Sequence, residues 1–220
     1  MEIDRNKLIK AFKTLKKVEL ISLLDDVLDN MERSSQRAVF GELFKEYTKS
    51  ERTPHKILLD IEMFCKKSNA GYYYAPFDLN SNNILHIPDE TDEWFDEISD
   101  YLDFVSELVK IKEYKIGLKC FNLLFELIDK MESGAEIVFA HEFGDWMILA
   151  KEDYMEKYII ALSKETKHLE EYVRILIPKI KSDSNCSISN KVYKKVKKHS
   201  SDIQIKAIDK EIKSQSLRVI

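Results

Sequence analysis

Glycine and proline are scarce in this chain: five and four residues out of 220. The many tight turns of a β-sandwich or barrel need more of both, so those folds are excluded. The five glycines (Gly41, Gly71, Gly117, Gly134 and Gly144) are isolated from one another, which rules out a phosphate-cradling glycine loop. Three cysteines, Cys65, Cys120 and Cys186, fall one in each third of the chain. They form neither a CxxC clamp nor an even disulfide set, so reduced thiols in a cytoplasmic setting are expected. Apolar runs such as Ile57 to Leu59 are far below the roughly 18 residues of a membrane span. The first residues, MEIDRNKLIKAFKTLKK, lack the apolar stretch of a signal peptide. The expectation is a soluble, cytoplasmic protein with no membrane attachment.

Charge and apolar residues are what the chain has in quantity. Hydrophobic residues make up 44 % and charged residues 34 %, enough for a sizeable core in one large domain or two small ones. The net charge of -4 conceals two opposed regions. From Asp89 to Glu107 there are nine acidic residues and no Lys or Arg. From Lys179 to Lys198 seven lysines face Asp183 alone. Such patches pair with each other or meet separate partners.

The apolar spacing is helical throughout. Asp4 is placed to cap a first helix with Ile9, Phe12 and Leu15 on one side, and a second spans Val18 to Met31. Ser34 and Ser35 open a third, using Val39, Phe40, Leu43, Phe44 and Tyr47. Thr53-Pro54 starts a fourth that reaches about Lys67, because proline at the first helical position sacrifices no hydrogen bond. Between Ser68 and Thr91 the period stops. That loop is too apolar for a tether, with Tyr72, Tyr73, Tyr74 and Phe77, and is expected to pack on the helices. Helices resume from about Asp92 to Met131, broken at Lys112 to Lys115. Further ones are expected over Glu152 to Ser163, Thr166 to Lys181 with a kink or end at Pro178, and Lys191 to Ser216 broken near Ser200-Ser201. Ser182 to Asn190 reads as a loop. An all-α, irregular stack or bundle of about eight to ten helices follows. It divides into an N-terminal helical part (1–68), an apolar loop (69–91) and a C-terminal part (92–220), or forms one continuous domain.

Within the segment Tyr101 to Leu127, Tyr101, Phe104 and Leu108 are followed by Tyr114, Gly117, Phe121 and Leu124. These positions resemble the packing positions of a single tetratricopeptide-type helical hairpin. Val105 stands where that family has a small residue, and no second copy follows 34 residues downstream. The resemblance covers about 30 of the 220 residues and implies an antiparallel hairpin with a surface for another protein.

Motifs for chemistry are sparse. No GxSxG turn or HExxH helix occurs. Glu165 and His168 have the Glu-x-x-His spacing of a di-iron ligand unit, but no second unit accompanies them. His141, Glu142 and Asp145 gather in an irregular segment beside Trp146 and are the weak metal candidates. The lysines Lys194, Lys195, Lys197 and Lys198, with Tyr193 as a stacking surface, fit a nucleic-acid contact. The reading favoured by the sequence is a non-enzymatic protein-interaction module without cofactor. Its contact residues are Tyr72, Tyr73, Tyr74 and Phe77, with Asp92, Asp96, Asp100 and Asp103 as an acidic stripe. Nucleic-acid binding through the C-terminal lysines is the alternative, and homo-oligomerisation is compatible with either.

Overall fold

The computed structural model describes residues 4–31, 35, 39–40, 53–78, 80, 87–139, 151–186, 190–215 and 217. Among them there are nine helices and no strand, so the protein is all-α. The expected helix after Ser34-Ser35 lies outside the described residues, apart from isolated positions. The chain forms two compact units, Met1–Arg52 and Thr53–Ile220.

The first unit contains α1 (Arg5–Phe12) and α2 (Lys17–Asn30). The Asp4 carboxylate accepts from the backbone N–H groups of Asn6, at 2.9 Å, and Lys7, at 3.3 Å. It thereby satisfies two of the donors that a helix start leaves open. At α2 the Glu19 carboxylate accepts from the Lys16 N–H at 2.6 Å.

The second unit begins with α3 (Pro54–Asn69), whose N-cap Thr53 accepts from the Lys56 N–H at 3.3 Å. Ile57, Ile61, Phe64, Cys65 and Ser68 form its buried stripe. The stripe packs on α4 (Asp89–Lys110) and α5 (Tyr114–Glu132). The sequence placed 54–69 with the N-terminal helices, but its apolar face belongs to the second unit. An apolar stripe records that a helix is covered and not by which neighbour.

Helices α4 and α5 make an antiparallel hairpin. The chain reverses at Lys112, whose φ of 70° is left-handed, and the Glu113 N–H returns to the Leu108 carbonyl at 2.9 Å. Gly117 allows the close crossing: a Cβ there would lie 3.0 Å from Cγ2 of the buried Val109. Both α3 and α5 end on a glycine with positive φ, Gly71 at 75° and Gly134 at 86°. In each the next N–H reaches back to the helix, Tyr72 to the Lys67 carbonyl and Ala135 to the Lys130 carbonyl, both at 3.1 Å. This is the geometry of a left-handed C-terminal cap.

The stack continues through α6 (Lys151–Glu165), α7 (Leu169–Cys186), α8 (Lys191–His199) and α9 (Asp202–Ser214). Helix α6 lies on α5, α8 on α6, and α9 on α7. The break between α8 and α9 falls at Ser200-Ser201 as expected. Pro178 does not end α7, which runs about two turns further and into the start of the polar segment read as a loop. Proline removes one N–H and frees the carbonyl four residues earlier. Here both Pro178 and Arg174 are on the exposed side of the helix.

Candidate functional site

The chain leaves α3 at Gly71 into an irregular segment, and three consecutive tyrosines diverge because no regular period holds them to one side. Tyr73 turns inward and is fully buried. Its ring lies 5.7 Å from Phe64, which also neighbours Trp94 at 6.1 Å and Tyr101 at 5.2 Å. The Tyr73 hydroxyl donates to the Glu97 carboxylate at 2.9 Å. Burial first, and that carboxylate second, push the Tyr73 phenol well above its ordinary pKa. Beneath it the Trp94 Nε1–H donates to Ser68 Oγ at 3.0 Å, and Ser68 Oγ–H donates to the Phe64 carbonyl at 2.9 Å. Tyr73 is therefore a core anchor and not the surface contact expected of it.

Tyr72 points the other way and is 58 % exposed. Its ring stands edge-on to Tyr73 at 4.8 Å, and the Lys67 ammonium sits 5.2 Å from its centroid. An exposed aromatic side chain is thus fixed against a buried one. Tyr74 and Phe77 are half-buried and close on Phe139, at 5.9 and 5.3 Å. Phe139 is held in turn by its carbonyl, which accepts from Thr91 Oγ1 at 3.2 Å.

Beside this aromatic set lies a shallow cleft of about 350 Å³, lined by Ala75, Phe77, Pro88, Asp89 and Glu90. Its two walls differ in chemistry. The loop supplies apolar surface, and the first turn of α4 supplies two exposed carboxylates. Ala75, Pro88, Asp89 and Glu90 were not among the sequence-derived contact residues. The signal for them was Pro88-Asp89, a helix start adjoining an apolar loop.

Asp92, Asp96, Asp100 and Asp103 follow one another along α4 at spacings of four, four and three, which places them on one face. Asp92 and Asp100 are exposed, whereas Asp96 and Asp103 are half-buried. All four have intramolecular partners, and Asp103 accepts from the Tyr154 hydroxyl of α6 at 3.0 Å. The stripe is therefore partly structural. A basic partner meeting it has to compete with contacts already made.

On α8, Val196 is buried and the exposed lysines Lys194, Lys197 and Lys198 occupy the outer side, with Lys195 half-buried. The Tyr193 hydroxyl donates to Asp209 at 2.6 Å, and Lys197 covers its ring at 4.6 Å. One face of the expected stacking surface is thus already used. Lys198 reaches Glu156 of α6 at 3.0 Å, and His199 Nε2 meets the same oxygen at 2.5 Å. These two partners, Lys198 before His199, hold the Glu156 carboxyl down at about 2. The sequence suggested that the basic segment pairs with the acidic run at 89–107; for Lys198 and His199 the partner is Glu156.

Among the described residues, no group of three or more His, Cys, Asp or Glu side chains converges as a metal site. His141, Glu142 and Asp145 lie outside them. Glu165 is the last residue of α6 and His168 precedes α7, so the pair does not share a helix. Cys65 and Cys120 are buried free thiols, and desolvation pushes them up to about 11 and about 12. No described helix is long and apolar enough to cross a membrane. No family model, curated protein or solved structure matches the chain.

Proposed function

We propose that this protein is a non-enzymatic helical interaction module that binds another protein at the aromatic loop and the adjoining cleft. The hairpin of α4 and α5, tetratricopeptide-like in its contact positions, is the scaffold that holds the site. The observation that carries this reading is Tyr72: a large aromatic side chain, more than half exposed, fixed by contact with a buried tyrosine. Interfaces draw much of their affinity from such preorganised aromatic anchors, since little side-chain entropy is lost on binding. The cleft beside it offers apolar contact from Phe77 and Ala75 and two carboxylates from Asp89 and Glu90. That combination suits a segment carrying an apolar residue next to a Lys or Arg.

The test is paired co-purification from the native cells, using the wild type and a Tyr72→Ala, Phe77→Ala double variant. A protein recovered with the wild type and lost with a folded variant supports the reading. Equal recovery of every companion protein contradicts it.

A further inference from the structure

The corner between α1 and α2 carries a second kind of surface, separate in kind from the loop site. Residues 4–17 contain Arg5, Lys7, Lys10, Lys13, Lys16 and Lys17, all exposed, against a single acid, Asp4. Asp4 is engaged at the helix start, where it caps α1. Interleaved with these cations are aliphatic side chains facing outward. Leu8 is 40 % exposed, Ile9 41 %, Leu15 36 % and Val18 77 %. Helix α1 buries none of its residues.

We propose that this corner binds an anionic lipid surface, with α1 lying in the plane of the headgroups. Basic amphipathic helices attach in this way: apolar side chains enter the boundary of the acyl region while lysines remain among the lipid phosphates and carboxylates. Charge complementarity selects the occupant. A neutral apolar partner gains nothing from six cations around its footprint, and a nucleic acid gains nothing from exposed leucine and isoleucine at its centre. The acids of α2 do not cancel the patch. Glu19 is turned back onto the Lys16 N–H, and Asp25 and Asp26 lie about two turns beyond Val18.

Flotation of the full-length protein with phosphatidylcholine vesicles, with and without about 30 % phosphatidylserine, tests the proposal. Binding is expected only with the anionic lipid and is expected to fall away in roughly 0.5 M salt, where screening is short-ranged. Each lysine near such a surface is worth about five-fold in partitioning. The Lys10→Gln, Lys13→Gln, Lys16→Gln, Lys17→Gln variant should therefore lose roughly several hundred-fold. Ile9→Asp with Val18→Asp should lose binding although the lysines remain. These positions are exposed, and a thermal melt by circular dichroism verifies that each variant is folded. Absence of binding to the anionic vesicles overturns the proposal. So does a lysine-dependent retention on RNA that the Ile9 and Val18 changes leave intact.

Discussion

The hydroxyl of Tyr73 donates to the carboxylate of Glu97 at 2.9 Å, tying the loop after α3 to the third turn of α4. Tyr73 is completely buried while its neighbour Tyr72 is largely exposed. Adjacent tyrosines thus have opposite tasks, one holding the loop and one presenting it.

Replacing Tyr73 should therefore cost stability and replacing Tyr72 should not. Tyr73→Phe keeps the ring and removes a hydrogen bond to a charged group, for an expected loss of about 1–2 kcal/mol. Tyr73→Ala adds a large cavity beside Phe64 and should cost about 3–5 kcal/mol. Tyr72→Ala, at the surface, should remain within about 1 kcal/mol of the wild type. Urea titration followed by circular dichroism measures all three. A Tyr72 variant as unstable as Tyr73→Ala would contradict the division of roles.

The two helix-ending and helix-crossing glycines should respond differently. A Cβ at Gly134 meets nothing within 4 Å, so Gly134→Ala reports only the strain of its left-handed φ, about 1 kcal/mol. At Gly117 the new side chain meets the buried Val109. Gly117→Val should thus cost about 3 kcal/mol or more through forced separation of α4 and α5. Similar thermal shifts in the two variants would show that the crossing is looser than described.

The thiols of Cys65 and Cys120 should be inert in the folded protein. With pKa values pushed up to about 11 and about 12 by burial, little thiolate forms near pH 8. In a Cys186→Ser background, a thiol reagent should label neither residue until denaturant is added. Rapid native labelling at pH 8 would show that the α3–α5 interface opens.

Much of this fold was legible because helix starts are written locally. Asp4 and Thr53-Pro54 were read as helix starts, and Asp4 and Thr53 each carry a side chain that caps the helix following it; the caps Asn190 and Ser201 emerge only from the structure. The hairpin break was legible to within a residue or two, expected at Lys112 to Lys115 and found at 111–113, and Gly117 was legible as the small residue of the hairpin. Of the two outcomes expected at Pro178, a kink or an end, the helix end does not occur, since α7 continues past it. The boundary near residue 52 was hidden because the α3 stripe does not name its partners. The loop was recognised as packed, but which of three adjacent tyrosines turned inward depended on contacts with Phe64 and Glu97 that are distant in sequence. Pairings across the chain, Tyr73 with Glu97 and Lys198 with Glu156, leave no mark on local sequence.

The Glu156 cluster gives a pH dependence with a definite sign. A carboxylate whose folded pKa is lowered adds stability at pH above its unfolded value, near 4.5, and that contribution is lost as pH falls toward about 2. Wild type and Glu156→Gln should therefore differ most above pH 5 and converge toward pH 2. Because Glu156 is partly exposed, the difference should shrink in high salt. Parallel melting-temperature curves across this range would contradict the assignment.

The alternative reading of α8 makes a separate prediction. If Lys194, Lys195, Lys197 and Lys198 met phosphate backbones, retention on single-stranded RNA would fall steeply with salt and vanish when the four become glutamine. The engagement of Lys198 with Glu156 and of Lys197 with Tyr193 leads us to expect weak retention that the substitutions change little. Strong, lysine-dependent retention would favour the alternative.

The most direct measurement of the central claim is binding of the co-purified partner, once identified, to wild type, Tyr72→Ala and Asp89→Lys proteins by calorimetry. The account predicts about ten-fold or greater weakening with Tyr72→Ala, as for a surface anchor residue. Asp89→Lys should weaken binding further at low salt than at high salt. Unchanged affinity in both variants, with their folds intact, would place the interface elsewhere on the protein.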